Sequence, residues 1–413
     1  MTGHTKRQTC RVCGGTQLTK FLSLGPTPLA NAFLRSTDEF PAEQSYPLDV
    51  YRCEVCSLVQ LLDLIDPGTL FSHYIYVTGT SETVAEHNRT YSKTIVELLK
   101  LQPGNLVVEV ASNDGSLLKC FEPYGMRTLG VEPAENISEL ARSQGVETLT
   151  RFFNSATGRE VQETYGAAHV VIANNVLAHV DDTPDFLEGC KHVLKPDGLI
   201  VIEVPYLRDL LDRLEYDTIY HEHLCYFSVT TLMRLCDRVG LSIRRVEHVP
   251  LHGGSLRVYL GRQEVQGNHA DAVLDYSAAE TEAGFENMDR YERFAADVAL
   301  NRQAVIRLLE KLKSDGKVVA GYGAPAKGNT LLNYCGIDTQ LVSFTVDQNP
   351  MKIGHYTPGT HLPVLPVEAL REREADFAFV LAWNFEEEIR RQQRDYAEAG
   401  GQFIIPIPEP RVV

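Results

Sequence analysis

The sequence predicts an α/β fold, in which a doubly wound sheet is flanked by a small zinc-binding lobe and a second, Rossmann-like α/β unit. Three observations predict it. Two closely spaced cysteine pairs lie near the N-terminus, strands alternate with helices through the middle, and a glycine-rich turn joins a strand to a helix in the last third. The 413 residues therefore divide into predicted domains at 1–72, 73–260 and 261–413.

Composition narrows the class of function. The hydrophobic fraction is 44% and the charged fraction 23%, both typical of globular proteins. No apolar run is long enough to span a bilayer, and residues 1–8 lack the apolar core of a secretion signal. A net charge of −16 disfavours binding to nucleic acid. We expect a cytoplasmic monomer that acts on a small molecule, without nucleic-acid or membrane partners.

The first element is the pair of CxxC motifs, Cys10 with Cys13 and Cys53 with Cys56. This spacing lets both sulfurs of each turn reach one tetrahedral ion, which predicts a zinc site. Disulfides are the alternative that a cytosolic protein disfavours, and redox motifs do not normally occur twice. Because four thiolates leave no position for water, the zinc is predicted to be structural.

The middle of the chain alternates strands and helices, and each strand ends in polar residues. Because a parallel sheet gathers these ends at one edge, they predict a ligand site. The predicted strands are 106–110, 128–131, 169–173 and 199–204, and the predicted helices are 86–100, 135–143 and 183–194, with a further helix from Leu117. Asn174 and Asn175 follow the third strand.

The turn after the first strand predicts the cofactor. A dinucleotide site needs three glycines to approach a pyrophosphate, and this turn has one. Glu109, Asn113, Asp114 and Gly115 supply carboxylate and amide acceptors, which suit the ammonium of a methionyl group. Glu132 lies about 20 residues past the turn, where an acid can accept hydrogen bonds from ribose hydroxyls. The pattern favours S-adenosylmethionine over NAD.

A second cluster, Tyr220–Ser228, packs titratable and aromatic groups into one short run. A metal site made of His221, Glu222 and His223 is one interpretation, although further ligands for it are not evident. An acid–base role is favoured, because histidine titrates near neutral pH and a neighbouring carboxylate can raise its basicity. Tyr220 could donate to an oxyanion.

The last third repeats the α/β pattern around the glycine-rich turn at residues 321–329. Strands are predicted at 317–320, 341–346 and 376–382, and helices at 286–314 and 330–334. Glycines before a helix leave backbone N–H groups open to a phosphate, and Lys327 adds a positive charge. The alternative is a loop that merely packs.

The cofactor loop, Glu132 and the turn at residues 194–199 resemble class I methyltransferases over roughly residues 85–250. Together with the paired cysteines, the run at residues 220–228, His252-Gly253-Gly254 and the glycine-rich segment, nearly the whole chain resembles the sugar C-3′-methyltransferases of deoxysugar biosynthesis. The resemblance implies that Asn174 and Asn175 flank the cofactor.

The resemblance also implies a reaction and its residues. Tyr220, Glu222 and His223 would be catalytic, with His223 removing the C3 proton of a dTDP-linked 4-keto-deoxysugar; His221 and His179 remain alternative bases. The enolate would then attack the methyl group of S-adenosylmethionine. The candidate substrate contacts are Tyr76, Ser81, His252, Lys327 and Asn384. For Tyr76 the alternative is a packing aromatic, and for His252 a turn residue.

Two other functions are compatible with parts of the pattern. An O- or N-methyltransferase would need a base but no adjacent ketone. A zinc-ribbon adaptor without catalytic function would not need Glu109, Asp114, Gly115, Glu132 and the Glu222-His223 pair together.

Overall fold

The structure is a computed structural model that describes residues 3–71, 82–250 and 253–413. Tyr76, Ser81 and His252 lie outside these ranges, so their substrate contacts stay predictions. The described residues form four sheets. None of the helices in these ranges combines the length and the apolar character that crossing a membrane requires.

The N-terminal lobe is a small antiparallel β structure in which turns and strand ends carry the paired cysteines. Its elements are β1 (His4–Lys6), β2 (Leu18–Thr27), β3 (Tyr46–Cys53), β4 (Val59–Leu61), β5 (Asp63–Ile65) and α1 (Pro67–Phe71). Cys53 ends β3, and Cys56 lies in the turn that leads into β4. The two CxxC turns therefore lie side by side.

The middle of the chain forms a seven-stranded sheet with helices around it. Its elements are α2 (Glu82–Leu98), β6 (Leu106–Val110), α3 (Ser116–Lys119), β7 (Arg127–Val131), α4 (Glu135–Ser143), β8 (Thr148–Leu149), α5 (Ser155–Tyr165), β9 (Ala168–Asn174), α6 (Thr183–Val193), β10 (Leu194–Pro205), α7 (Leu207–Asp212), β11 (Cys225–Tyr226), α8 (Val229–Arg238), β12 (Leu241–Val249) and β13 (Ser255–Arg262).

The strand order of this sheet is β12-β13-β10-β9-β6-β7-β8. The pairs from β8 to β10 are parallel, and β13 pairs antiparallel with both β10 and β12. The predicted doubly wound sheet is confirmed. Strand order reverses between β6 and β9, and this reversal opens a crevice at their carboxyl ends.

β11 is the exception, because it joins the sheet of the lobe. That sheet has the order β11-β4-β3-β2, with Cys225 opposite Gln60 and Tyr226 opposite Val59. Two residues of the run at 220–228, Cys225 and Tyr226, therefore belong to the sheet of the N-terminal lobe.

The C-terminal region forms a second, mainly parallel sheet with the order β16-β15-β14-β17-β18-β19. The remaining elements are α9 (Gln263–Gln266), α10 (Asp271–Glu282), α11 (Met288–Ser314), β14 (Val319–Tyr322), α12 (Ala326–Cys335), β15 (Thr345–Val346), β16 (Val364–Leu365), α13 (Ala369–Glu372), β17 (Phe377–Val380), α14 (Glu386–Gln392), α15 (Arg394–Glu398), β18 (Gln402–Ile405) and β19 (Arg411–Val412).

Two predicted boundaries in this region were wrong. Helix α12 begins at Ala326 rather than at residue 330, because Pro325 precedes it with a fixed φ and no N–H, which suits a helix start. Lys327 therefore lies in the first turn of a helix. The strand predicted at 341–346 is shorter than expected and consists of β15 alone. A turn precedes it, in which the carbonyl of Asp338 accepts hydrogen bonds from backbone N–H groups.

Candidate active site

A cavity of about 510 Å³ lies among the N-terminal lobe, the crevice of the large sheet and the C-terminal region. This volume is typical of small-molecule sites. Its lining includes Asn31 of the lobe, the polar strand ends of the large sheet, and Lys327 of the C-terminal region. All three parts of the chain therefore contribute to one site.

The loops on the sheet side of the cavity have strained backbones. Ala111, Asn113 and Asn175 have φ values of 55°, 50° and 53°, in the left-handed region that side chains other than glycine rarely adopt. All three residues line the cavity. Strain of this kind typically marks a ligand site, where neighbouring contacts hold the backbone in place.

Glu132 holds two of these loops together. Its Oε2 accepts from the backbone N–H of Asn113 at 3.0 Å, and its Oε1 accepts from that of Ala134 at 2.9 Å. Burial raises the pKa of this carboxyl group, and the two N–H donors oppose the rise. Each carboxylate oxygen has a further lone pair, so Glu132 can still accept from a ribose hydroxyl in the cavity that it lines.

Glu109 lines the same cavity. Its Oε2 is buried without a hydrogen bond to any described residue. Burial, together with the nearby Asp114 and Glu132, raises its pKa well above the usual value. A bound cation would supply both the missing partner and the opposite charge, so this residue fits the ammonium of S-adenosylmethionine.

The other predicted cofactor residues divide into two groups. Asn174 lines the cavity, and its Oδ1 accepts from the backbone N–H of Glu203 at 3.2 Å. Asp114 and Gly115 are not among its described lining residues. The Oδ1 of Asp114 accepts from the N–H of Ser116 at 3.2 Å, at the start of α3. Their contact with the cofactor stays a prediction.

Gly115 is needed where it is for two reasons. Its φ of 75° is left-handed, and a Cβ atom would come within 2.7 Å of the side chain of Val146. Another residue would therefore be strained and would also collide with Val146, which precedes β8.

Tyr220 to His223 form a tight turn, in which the N–H of His223 donates to the carbonyl of Tyr220 at 2.8 Å. This turn places Tyr220 and His223 on one side, with ring centroids 4.0 Å apart, and both line the cavity. His221 and Glu222 are directed toward the lobe. The turn therefore divides four adjacent side chains into a cavity pair, Tyr220 and His223, and a lobe pair, His221 and Glu222.

The hydrogen bonds of His223 define its tautomer. Its Nδ1 lies 2.8 Å from the carbonyl oxygen of Thr218, which can only accept, so Nδ1 carries the hydrogen of the neutral ring. Nε2 is then the basic nitrogen, and the hydroxyl of Tyr220 donates to it at 2.8 Å. The cavity thus contains a histidine nitrogen that can take a proton, next to a phenol.

The lobe pair makes specific contacts. The Nε2–H of His221 donates to the carbonyls of Tyr46 and Pro47 at 3.3 and 3.2 Å. Oε1 of Glu222 accepts from Nδ2 of Asn31 at 2.6 Å. His221 is therefore poorly placed to act as the base, and the predicted metal alternative at these residues finds no cluster in the described chain.

His179, the other alternative base, does line the cavity. It is half-buried in a 3-10 turn after β9, and its ring lies 4.8 Å from that of His223. Burial and the neighbouring His223 hold the pKa of His179 well below the usual value. Its Nδ1 is buried and has no hydrogen-bond partner in the described ranges.

The C-terminal wall carries two of the predicted substrate contacts. Nζ of Lys327 lies 4.0 Å from the centre of the Trp383 ring and has no hydrogen-bond partner among the described residues. Burial lowers the pKa of Lys327, and Asp217 and Glu215 oppose this. Asn384 also lines the cavity, with a buried Oδ1 that likewise lacks a described partner.

Several lining residues were not predicted from the sequence, and Lys352 and Asn31 are two of them. Lys352 is buried, and its Nζ donates to the carbonyl of Ala324 at 2.8 Å beside the glycine-rich turn. Asn31 belongs to a lobe loop whose Ala30 carbonyl accepts from Asn329 of α12. Neither residue belongs to a motif, so only long-range contacts identify them.

The four N-terminal cysteines converge. Sγ of Cys10 lies 3.4 Å from that of Cys56, Sγ of Cys13 lies 3.5 Å from that of Cys53, and all four lie within 4.8 Å of one another. In tetrahedral zinc thiolate sites, Zn–S bonds of about 2.3 Å place the sulfurs about 3.8 Å apart. The four residues therefore fit one structural zinc ion, as predicted.

Comparison with known proteins gives matches along the chain. Residues 10–71 match a family of zinc binding domains, residues 84–246 a family of methyltransferase domains, and residues 250–408 a family described as the C-methyltransferase C-terminal domain. The C-methyltransferase NovU from Streptomyces niveus is 38% identical over 404 residues, which cover 98% of this chain and 96% of NovU.

Two further matches each cover less than half of the chain. A ubiquinone biosynthesis O-methyltransferase from Haemophilus ducreyi is 24% identical over 165 residues, 35% of this chain and 68% of that protein. The structure of magnesium protoporphyrin IX methyltransferase (ChlM) from Synechocystis PCC 6803 with bound SAM is 15% identical, with a TM-score of 0.34, and covers 46% of this chain and 88% of that one.

Identity to NovU extends through the lobe, the large sheet and the C-terminal region alike. The chain therefore belongs to the C-methyltransferase family that includes NovU, and it is an S-adenosylmethionine-dependent enzyme with a zinc-binding domain.

Proposed function

We propose that the enzyme methylates C3 of a nucleotide-linked 4-keto-deoxysugar, with dTDP as the carrier and His223 as the base. The observation that carries the proposal is the pair formed by Nε2 of His223 and the hydroxyl of Tyr220, 2.8 Å apart in the cavity. One group can take a proton, and the other can donate to developing negative charge.

The ketone at C4 allows C3 to become a nucleophile, because the negative charge left by removal of the C3 proton can move to O4. Nε2 of His223 takes the C3 proton, and the electron pair of the C–H bond moves into an enolate whose charge lies largely on O4. C3 then forms a bond to the methyl carbon as the bond from that carbon to sulfur breaks, leaving S-adenosylhomocysteine. For Nε2 to take the proton, the hydroxyl of Tyr220 first turns from Nε2 to O4, where it donates to the enolate oxygen.

The carrier is proposed from the C-terminal wall. Lys327, in the first turn of α12, has a buried Nζ with no hydrogen-bond partner in the described chain, and Lys352 is buried on the same wall with its Nζ 3.7 Å from Oδ2 of Asp347. Two cations and the N-terminus of a ten-residue helix favour a diphosphate. Asn384, whose buried Oδ1 has no partner among the residues that the structure describes, adds an acceptor for a sugar hydroxyl or a base N–H.

The test uses [methyl-13C]S-adenosylmethionine with a dTDP-4-keto-2,6-dideoxyhexose. We expect one added methyl group, attached to carbon by its 13C shift, and about 10³-fold slower transfer by His223→Ala. The His192→Ala variant, at a half-buried histidine on α6 outside the cavity, is the matched control and should retain activity. Methylation on oxygen or nitrogen would overturn the carbon assignment.

A further inference from the structure

Arg11 lies between the first two zinc-binding cysteines and is buried, with none of its side chain exposed. A guanidinium group is costly to bury unless it is paired and hydrogen-bonded. An arginine at this position is not needed to bind zinc. Its contacts show what else it does.

Arg11 first contacts the sheet of the lobe. Its Nη1 donates to Oε1 of Gln60 at 3.2 Å and to the carbonyl of Leu61. Gln60 pairs with Cys225 of β11, and the N–H of Leu61 donates to the carbonyl of Leu224 at 3.0 Å. Arg11 thus holds the strand that aligns the segment just after His223.

Arg11 also contacts the large sheet domain. Its Nε donates to Oδ1 of Asp181 at 3.0 Å. Asp181 lines the cavity and lies two residues after His179. The N–H of Leu224 donates to the carbonyl of Ala178 at 2.7 Å, so the segments that carry the two histidines are joined there as well.

We propose that Arg11 is a positioning residue for catalysis, which transmits the order of the zinc site to the His179 and His223 segments. The inference rests on the proposed role of His223. Cys10 and Cys13, on either side of Arg11, bind the ion, so zinc fixes the backbone from which the guanidinium group reaches both segments. A small displacement of catalytic groups can lower a rate by about 10²-fold.

Arg7 provides a matched control. Its Nη1 donates to Oδ2 of the same Asp181 at 2.9 Å, but its side chain is 25% exposed and lies outside the cysteine turn. If Asp181 only needs a positive partner, Arg7 and Arg11 are equivalent. If the zinc turn sets the geometry, only Arg11 matters to the rate.

The experiment compares Arg11→Met, Arg11→Lys and Arg7→Met by zinc content, by S-adenosylmethionine affinity, and by kcat and KM for the ketosugar. We expect Arg11→Met to keep one zinc per chain and cofactor affinity within about twofold, with kcat reduced about 10²-fold and KM changed less than threefold. Arg11→Lys should recover kcat only in part, since a lysine lacks the planar fork of donors. Arg7→Met should stay within about threefold of wild type.

A second readout does not depend on the substrate. With [13Cε1]histidine labelling, the resonances of His179 and His223, assigned with His179→Gln and His223→Gln, should shift in Arg11→Met and remain in place in Arg7→Met. If Arg11→Met loses zinc, Asp181→Ala, which leaves the cysteine turn intact, should shift the same two resonances.

Unchanged resonances with wild-type kcat in Arg11→Met, or in Asp181→Ala, would overturn the inference. Wild-type protein that methylates no ketosugar would overturn the proposed function instead, and the histidine resonances would still decide the role of Arg11.

Discussion

The two halves of the cavity are built differently. The half proposed to bind the cofactor, called the cofactor half, comes from one continuous stretch of chain, β6 to β10, in which each loop leads from one strand to the next element. The half proposed to carry out the reaction, called the catalytic half, is assembled from the zinc lobe, the turn at residues 220–223 and the C-terminal wall, which are far apart in sequence.

The difference shows where each function is encoded. The cofactor loops are held by their own neighbours, as when Glu132 accepts from Asn113 and Ala134. The catalytic turn is held by other domains, through Asn31 and Tyr46 of the lobe. Damage to the lobe should therefore remove catalysis and spare cofactor binding.

Removal of zinc is expected to give the largest effect, because it should stop methyl transfer and leave cofactor binding largely intact. The Cys56→Ser variant, or treatment with a chelator, should reduce methyl transfer by more than about 10²-fold, because the lobe sheet that includes β11 loses its metal. Calorimetry should find S-adenosylmethionine affinity within about fivefold of wild type. Cys120→Ser, at a partly exposed cysteine outside the metal cluster, is the control and should change neither. An equal loss of methyl transfer and of S-adenosylmethionine affinity would contradict the division of the cavity into two halves.

Glu109→Gln should damage the cofactor half alone. The loss of one charged hydrogen-bonding partner should weaken S-adenosylmethionine binding about 10- to 100-fold, measured by calorimetry, with KM for the ketosugar nearly unchanged. Asp197→Asn, at an exposed position near the start of β10, is the control. A large change in the ketosugar KM would show that the halves are not separable.

Glu109→Gln should also change the stability of the fold, and the direction of the change follows from the pKa of Glu109. Because burial raises the folded-state pKa of Glu109 above its unfolded value, the stability that its neutral form contributes is present below pH 4.5 and is lost as pH rises through the folded pKa. Without cofactor at pH 8, Glu109→Gln should therefore melt at a higher temperature than wild type. A lower Tm would contradict the burial argument.

On the catalytic side, Lys327→Met and Lys352→Met should each raise KM for the nucleotide sugar about tenfold, because each removes a buried cation from the cavity wall. Steady-state kinetics measures the change, and cofactor affinity should not move. Lys317→Met is matched to them, since Lys317 is an exposed lysine of the same region paired with Asp376. An equal effect in Lys317→Met would point to general charge rather than to this wall.

The smallest effect is expected at His179, where the dependence of stability on pH is opposite in direction to that at Glu109. Its folded-state pKa lies below the unfolded value of 6.5, so the neutral ring stabilises the fold above pH 6.5 and this contribution is lost as pH falls below it. The loss has a limit of about 1.4 kcal/mol per pH unit. Between pH 7 and pH 5, the Tm of His179→Asn should fall less than that of wild type. A parallel fall would show that His179 is not titrating.

Much of the cofactor half could be predicted from the sequence, because its determinants are local. The tip acid Glu132 and the single-glycine turn follow strands whose apolar runs are readable, and the paired cysteines specify a metal by spacing alone. The sorting of Tyr220 and His223 from His221 and Glu222 was beyond reach, since it depends on a turn hydrogen bond. Asn31 and Lys352 reach the cavity only through contacts between domains, which no local pattern encodes.

The central claim is that the catalytic half removes the C3 proton of the ketosugar and forms the enolate even when no methyl group can be transferred. Wild-type enzyme, S-adenosylhomocysteine and the ketosugar should be incubated in D2O, and deuterium at C3 followed by NMR. We predict exchange at C3 in wild type and its loss in His223→Ala. No exchange in wild type, or equal exchange in His223→Ala, would contradict the enolate or the base.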